Sequence, residues 1–182
     1  MNFGFLDILL VLIFLVICIL SVVAGLIRQL FSLLFLYLAT VAAGLLYPYA
    51  AIFVSAIGGK TPTLTQFIVF WILFISVTVT LEILMRKGFP DTRLPALGFL
   101  DQLLGLLPGV FCGLIVVSLL VATLGHAPQQ TWGRALEGLR ITTAYMWQST
   151  ALRPLLTQFL TVYLGLHKLW MPVPPPIFYL GG

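Results

Sequence analysis

Asp101 precedes three glycines at strict four-residue spacing, Gly105, Gly109 and Gly113, within an otherwise apolar run. On a helix this spacing puts all three glycines on one face. The bare backbone there admits a second helix at close range, which is how helices associate where lipid removes the hydrophobic drive. A carboxylate beside such a groove is costly in a bilayer unless it finds the interface or a partner. Arg28 is the expected partner, giving a structural Asp101–Arg28 contact. Glu82 precedes Arg86 by one helical turn, in the favourable order for an ion pair. Asp7 falls in the first turn of its helix, where the amino-terminal dipole favours a carboxylate.

No reactive constellation accompanies these groups. His126 and His167 are far apart and lack the spacing of a metal pair, and there is no GxSxG, P-loop or GxGxxG. Ser149 has no recognisable base. Cys18 and Cys112 are isolated in apolar runs and read as small buried residues. Gln66, Ser76, Thr78 and Thr80 form no continuous polar stripe, since Thr78 and Thr80 lie two apart and do not share a face, and the hydroxyls are expected to bond their own helix backbone. No catalytic residue, metal or cofactor is expected.

The surrounding composition says where this chemistry sits. Of 182 residues, 61% are hydrophobic and only 8% charged, against about 25% charged in soluble domains. Mean hydropathy is +1.15. Nine basic residues against five acidic ones give a net charge of +4. The basic residues are scattered, which fits membrane topology and anionic headgroups rather than nucleic acid.

Four runs are long enough to cross about 30 Å of hydrocarbon as helices. They extend from about Leu6 to Ala24, Leu30 to Ser55, Thr65 to Leu84 and Leu103 to Leu124. Pro48 stands near the end of the second. Pro108 is expected to kink the fourth near Leu104, or to divide it into a short interfacial helix and a span from Gly109. The first run has no preceding Lys or Arg and exceeds a signal-peptide core, so it reads as an anchor.

Beyond residue 126 the material changes. Thr131 is placed to cap a helix from Trp132, with Arg134, Glu137 and Arg140 on its polar side. A second run, Leu152 to Trp170, carries Pro154 in its first turn. Both are expected as amphipathic helices on the outer interface, with Trp132, Trp147, Tyr163 and Trp170 as anchors; a fifth span is the alternative for the second. Pro172 to Pro176 should be extended. The resulting class is an all-α integral membrane protein: a four-helix domain over residues 1–126 and an extracytoplasmic interfacial tail over 127–182. Arg28 and the Arg86, Lys87 and Arg93 group fall on one side against Lys60 on the other, which places both termini outside the cytoplasm.

Several segments also resemble a known family. Gly25-Leu26-Ile27-Arg28-Gln29-Leu30-Phe31-Ser32-Leu33, following Asp7, is similar to the Gly-x-x-Arg-Glu-x-x-Ser-Leu segment of colicin V production proteins. The Asp101, Gly105, Gly109 and Gly113 pattern resembles the same family's Asp-Arg-x-x-Gly-x-x-x-Gly-x-x-x-Gly helix. Trp147-Gln148-Ser149 with Leu152 and Pro154 resembles its Ser-x-x-x-Pro stretch, so the likeness covers roughly residues 1–155. Gln29 stands in place of the usual Glu, Gln102 of Arg, Pro108 of an apolar residue and Cys112 of a frequent Arg.

The resemblance implies a multi-pass protein of the bacterial inner membrane, with a part in peptide toxin production or export and in envelope maintenance. It is read as a non-enzymatic accessory or assembly protein, with a small oligomeric channel or transport component as the alternative. A membrane enzyme ranks third. Expected partners are the lipid bilayer and, through the glycine face, a second copy or another membrane protein.

Overall fold

The computed structural model describes residues 4–58, 63–89, 99–129, 136–170 and 176–178, and these are helical almost throughout. Helices α1 (Phe5–Ala24), α2 (Leu26–Gly58), α3 (Thr63–Gly88) and α4 (Phe99–His126) come first. All four are long and apolar enough to cross a membrane. A 3₁₀ turn at Ala127–Gln129, α5 (Glu137–Gln148), α6 (Arg153–Gly165) and 3₁₀ turns at Leu166–Leu169 and Pro176–Phe178 complete the described chain. The protein is an all-α membrane protein.

Helices α2, α3 and α4 extend beyond their apolar runs, because the intrahelical hydrogen bonds continue after the hydrocarbon-matching residues end, while α1 matches its run. α4 runs as one helix through Pro108, which is buried, so the alternative of a short interfacial helix and a separate span is corrected. α2 likewise carries Pro48 internally.

α4 is the central helix: 56% of its most apolar stretch is buried, against 17% for α3. On one side Leu36, Ala39, Ala43 and Tyr47 of α2 recur at helical spacing and meet Cys112, Ile115 and Leu119 of α4. Phe70 and Phe74 of α3 join the same core. On the other side Leu6 and Leu10 of α1 pack with Val117 and Val121 of α4. The outward faces remain strongly apolar, with Ile8, Leu12 and Ile19 of α1 more than half exposed. Such a surface needs hydrocarbon, not water, around it.

The tail departs from the sequence expectation. Leu156, Leu160 and Tyr163 form a buried stripe on α6, seated against the four-helix unit. α6 therefore lies along α4 rather than on the outer surface. Leu156 packs at the level of Leu10 and Val121, while Phe159 and Tyr163 border a cavity with Ile115 and Phe111. α6 thus descends antiparallel to α4. The Tyr163 hydroxyl meets the Thr40 hydroxyl at 2.9 Å, and the Tyr37 hydroxyl donates to the Leu166 carbonyl at 3.2 Å. Farther on, Ile177 and Phe178 are buried, with Phe178 edge-on to Phe70 at 5.4 Å between centroids.

Two expected interfacial anchors are accordingly interior. Trp147 is buried and donates its indole N–H to the Val121 carbonyl at 2.9 Å; Tyr163 is buried on Thr40. Trp170 is 65% exposed. Thr131, Trp132, Arg134, Lys60, Arg93 and residues 172–175 lie outside the described residues, while Pro176 already belongs to a 3₁₀ turn.

Candidate functional site

The glycine face of α4 is filled by α1 of the same chain. A Cβ at Gly105 would lie 2.9 Å from the Gly25 carbonyl carbon and 3.0 Å from the Ser21 carbonyl oxygen. At Gly109 it would strike the Ser21 side chain, and at Gly113 it would lie 2.7 Å from the Phe14 ring. Ser21 is buried and turns its hydroxyl back to the Ile17 carbonyl at 2.6 Å, so its polarity is satisfied within α1. Any external helix seeking this groove would have to displace α1. A fourth glycine, Gly125, serves a different neighbour: a Cβ there would be 2.5 Å from the Trp147 ring, so the missing side chain makes the indole's seat.

Asp101 sits where α1 turns into α2. That turn is a single residue, Gly25, at φ +85, a left-handed conformation that costs a residue with a Cβ about 1–2 kcal/mol. A Cβ at Gly25 would also lie 2.6 Å from Asp101 Oδ2. From this position Asp101, only 3% exposed, accepts the Leu26 N–H at 3.1 Å. Leu26 begins α2, so a carboxylate on α4 caps the amino terminus of another helix. The bare amides and the helix dipole both favour a negative charge there.

Asp7 does the same at the opposite end. It is fully buried and accepts the Gly4 N–H at 2.9 Å, capping its own helix. It also receives the Ala151 and Leu152 N–H groups at 3.1 and 3.2 Å, in the turn leading into α6. One carboxylate thereby fastens the start of α1 to the start of α6. The cap on α1 was legible from sequence; the link to the tail was not, because nothing local marks Ala151 and Leu152 as donors.

Two ion-pair expectations are corrected. Arg28 contacts Glu82, with Nε–Oε1 at 3.6 Å, and does not pair with Asp101, whose oxygen is committed to the Leu26 amide. Glu82 reaches across to α2 instead of along α3, leaving Arg86 exposed at the helix end. A helix-to-helix contact within the partly buried interface is screened less than an exposed intrahelical pair.

Other polar groups bond within their own helix or to an adjacent one. Thr78 donates to the Phe74 carbonyl at 2.8 Å, as its place on a helix suggested. Thr123 accepts the Trp71 indole N–H at 3.0 Å, and His126 approaches the Gln66 side-chain oxygen at 3.4 Å, joining α4 to α3. His167 packs between Tyr37 and Tyr163, with Nδ1 3.0 Å from the Tyr163 carbonyl. Ser149 is exposed and bonds the Met146 carbonyl. Cys18 and Cys112 are free and buried. Among the described residues no group of three or more His, Cys, Asp or Glu is arranged to hold a metal ion.

Comparison with known proteins gives one match. A family model described as "Colicin V production protein" matches residues 6–161. No curated protein matches the chain, and no solved structure does.

Proposed function

We propose a function from one premise: this chain belongs to the colicin V production protein family. Membership supports a role in colicin V production. Within that role the chain acts as a non-enzymatic accessory or assembly protein of the bacterial inner membrane, contributing to toxin production or export and to envelope maintenance. The observation that carries this reading is the use made of its two buried aspartates. Asp101 accepts the Leu26 N–H at the start of α2, and Asp7 accepts the Ala151 and Leu152 N–H groups in the turn before α6, so the groups best suited to chemistry serve to fasten the architecture.

In this reading α1 to α4 cross the membrane, with Arg28, Arg86 and Lys87 at the cytoplasmic surface and both termini outside. Support comes from the Asp7 contacts, which bring the start of α1 to the α5–α6 turn, and from Trp147, which holds α5 to the carboxyl-terminal half of α4. A reporter fused at Gly182 is expected to read extracytoplasmic; a cytoplasmic reading overturns the orientation. For the function, the chain is expected to restore secreted toxin activity in a colicin V host lacking its own family member. Failure to do so when the protein is inserted and abundant refutes the assignment.

A transport component is the second reading, and the descent of α6 beside α4 favours it. Helices that enter a membrane protein without crossing it are tolerated where protein or a cavity surrounds them, a setting common in channels and transporters. Peptide flux into vesicles containing only this protein would select that reading over the accessory role.

A further inference from the structure

α6 begins at the Asp7 contacts and ends where Tyr37 meets the Leu166 carbonyl. Tyr37 lies about 16 Å along α2 from Leu26, at roughly 1.5 Å per residue. With Arg28 at headgroup level and about 30 Å of hydrocarbon, the tip of α6 is near the midplane. Lys168 belongs to the 3₁₀ turn at this tip and is exposed. The ion pairs among the described residues are Arg28–Glu82 and Arg140–Glu137, so Lys168 has no carboxylate there. Roughly 15 Å of hydrocarbon separates it from either surface, farther than its four-carbon stem can snorkel.

Beside the tip, α2, α4 and α6 leave an open cavity of about 450 Å³ lined by Leu33, Tyr37, Phe111, Ile115, Val162 and Leu166, among others. Its walls are almost wholly apolar, which suits hydrocarbon and not water. The charge therefore calls for an anion carried into the bilayer on an apolar body. We propose that the α6 tip and this cavity dock one transmembrane helix of a partner protein bearing a carboxylate near the midplane. A second copy is a poor source, since the acidic groups among the described residues, Asp7, Glu82, Asp101 and Glu137, are all engaged within their own chain. A phospholipid phosphate belongs at the surface, far from this depth. The proposal rests on the reading in which α1 to α4 cross the membrane.

The test uses the full chain in phosphatidylcholine vesicles and dansylated leucine–alanine transmembrane peptides with one central Glu, Gln or Leu. Binding is followed by energy transfer from the protein's tryptophans. The Glu peptide should bind at least tenfold tighter than the other two. Lys168→Met should abolish that preference, Lys168→Arg should keep it, and Val162→Trp, which fills the cavity, should weaken all three peptides. Equal affinities, a preference surviving Lys168→Met, or self-association that excludes the peptides overturns the proposal. So does displacement of the Glu peptide by anionic lipid. A spin label at Val162→Cys, in a chain with Cys18 and Cys112 replaced by alanine, reports depth from oxygen and nickel-chelate collisions. A shallow label defeats the membrane reading itself; a deep label without peptide preference defeats only the docking proposal.

Discussion

Replacing Asp101 with alanine removes the oxygen that receives the Leu26 amide at 3.1 Å. A hydrogen bond to a charged group contributes about 1.5–3 kcal/mol, and a lost helix cap typically costs about 1 kcal/mol. Both figures describe the same atoms, so they are not summed; the expected loss for Asp101→Ala is about 2 kcal/mol, roughly thirtyfold in the folded population. Asp101→Asn retains an acceptor and gives up mainly the attraction of a charge for the α2 terminus, about 0.3–1 kcal/mol. Gly25→Ala supplies an internal control. Its Cβ suffers the left-handed backbone, about 1–2 kcal/mol, and also the approach to Asp101 Oδ2 at 2.6 Å. Alanine at position 101 relieves the second cost and leaves the first. The double variant should therefore be more stable than the sum of the two losses implies, by about 1 kcal/mol or more. Reversible unfolding in mixed detergent micelles measures all four proteins, and amide exchange at Leu26 reports the bond itself. Equal losses for Asp101→Asn and Asp101→Ala, or strict additivity with Gly25→Ala, would refute the capping argument.

Asp7→Ala strips three N–H groups of their acceptor and should loosen the start of α6; amide exchange at Ala151 and Leu152 is expected to rise at least about tenfold. Gly109→Leu drives a side chain into Ser21 and should separate α1 from α4 at a cost of about 3 kcal/mol, seen as lost crosslinking between cysteines placed on the two helices. Tyr163→Phe should cost only about 1 kcal/mol, because Thr40 keeps its 2.8 Å bond to the Leu36 carbonyl. A loss above about 3 kcal/mol in the same micelle unfolding would show that the Tyr163 hydroxyl does more than meet Thr40.

Hydropathy made the four long helices legible because each needs an apolar run matched to hydrocarbon thickness. Gly105, Gly109 and Gly113 likewise announced a close neighbour, since spacing alone fixes a helix face. What spacing could not supply was the neighbour: Ser21 and Phe14 carry no mark of it. The ion pairs failed for a related reason. Glu82 has Arg86 within its own turn, yet the α2–α3 interface brings Arg28 to it, and only tertiary geometry decides between them. The placement of α6 was not legible because its exposed Leu155 and Val162 suggest an interfacial helix, while its buried stripe is equally apolar.

The two long-range carboxylate contacts impose an order on biogenesis. Leu26 must wait 75 residues of synthesis for Asp101, and Asp7 must wait 144 for Ala151. Insertion of the first hairpin therefore precedes its completion: α2 enters the bilayer with its leading amide open, and α1 with one face of its carboxylate unfilled. The link from Asp7 to the tail therefore forms only after all four long helices have been synthesised, whereas the packing of α1 on α4 needs nothing beyond α4.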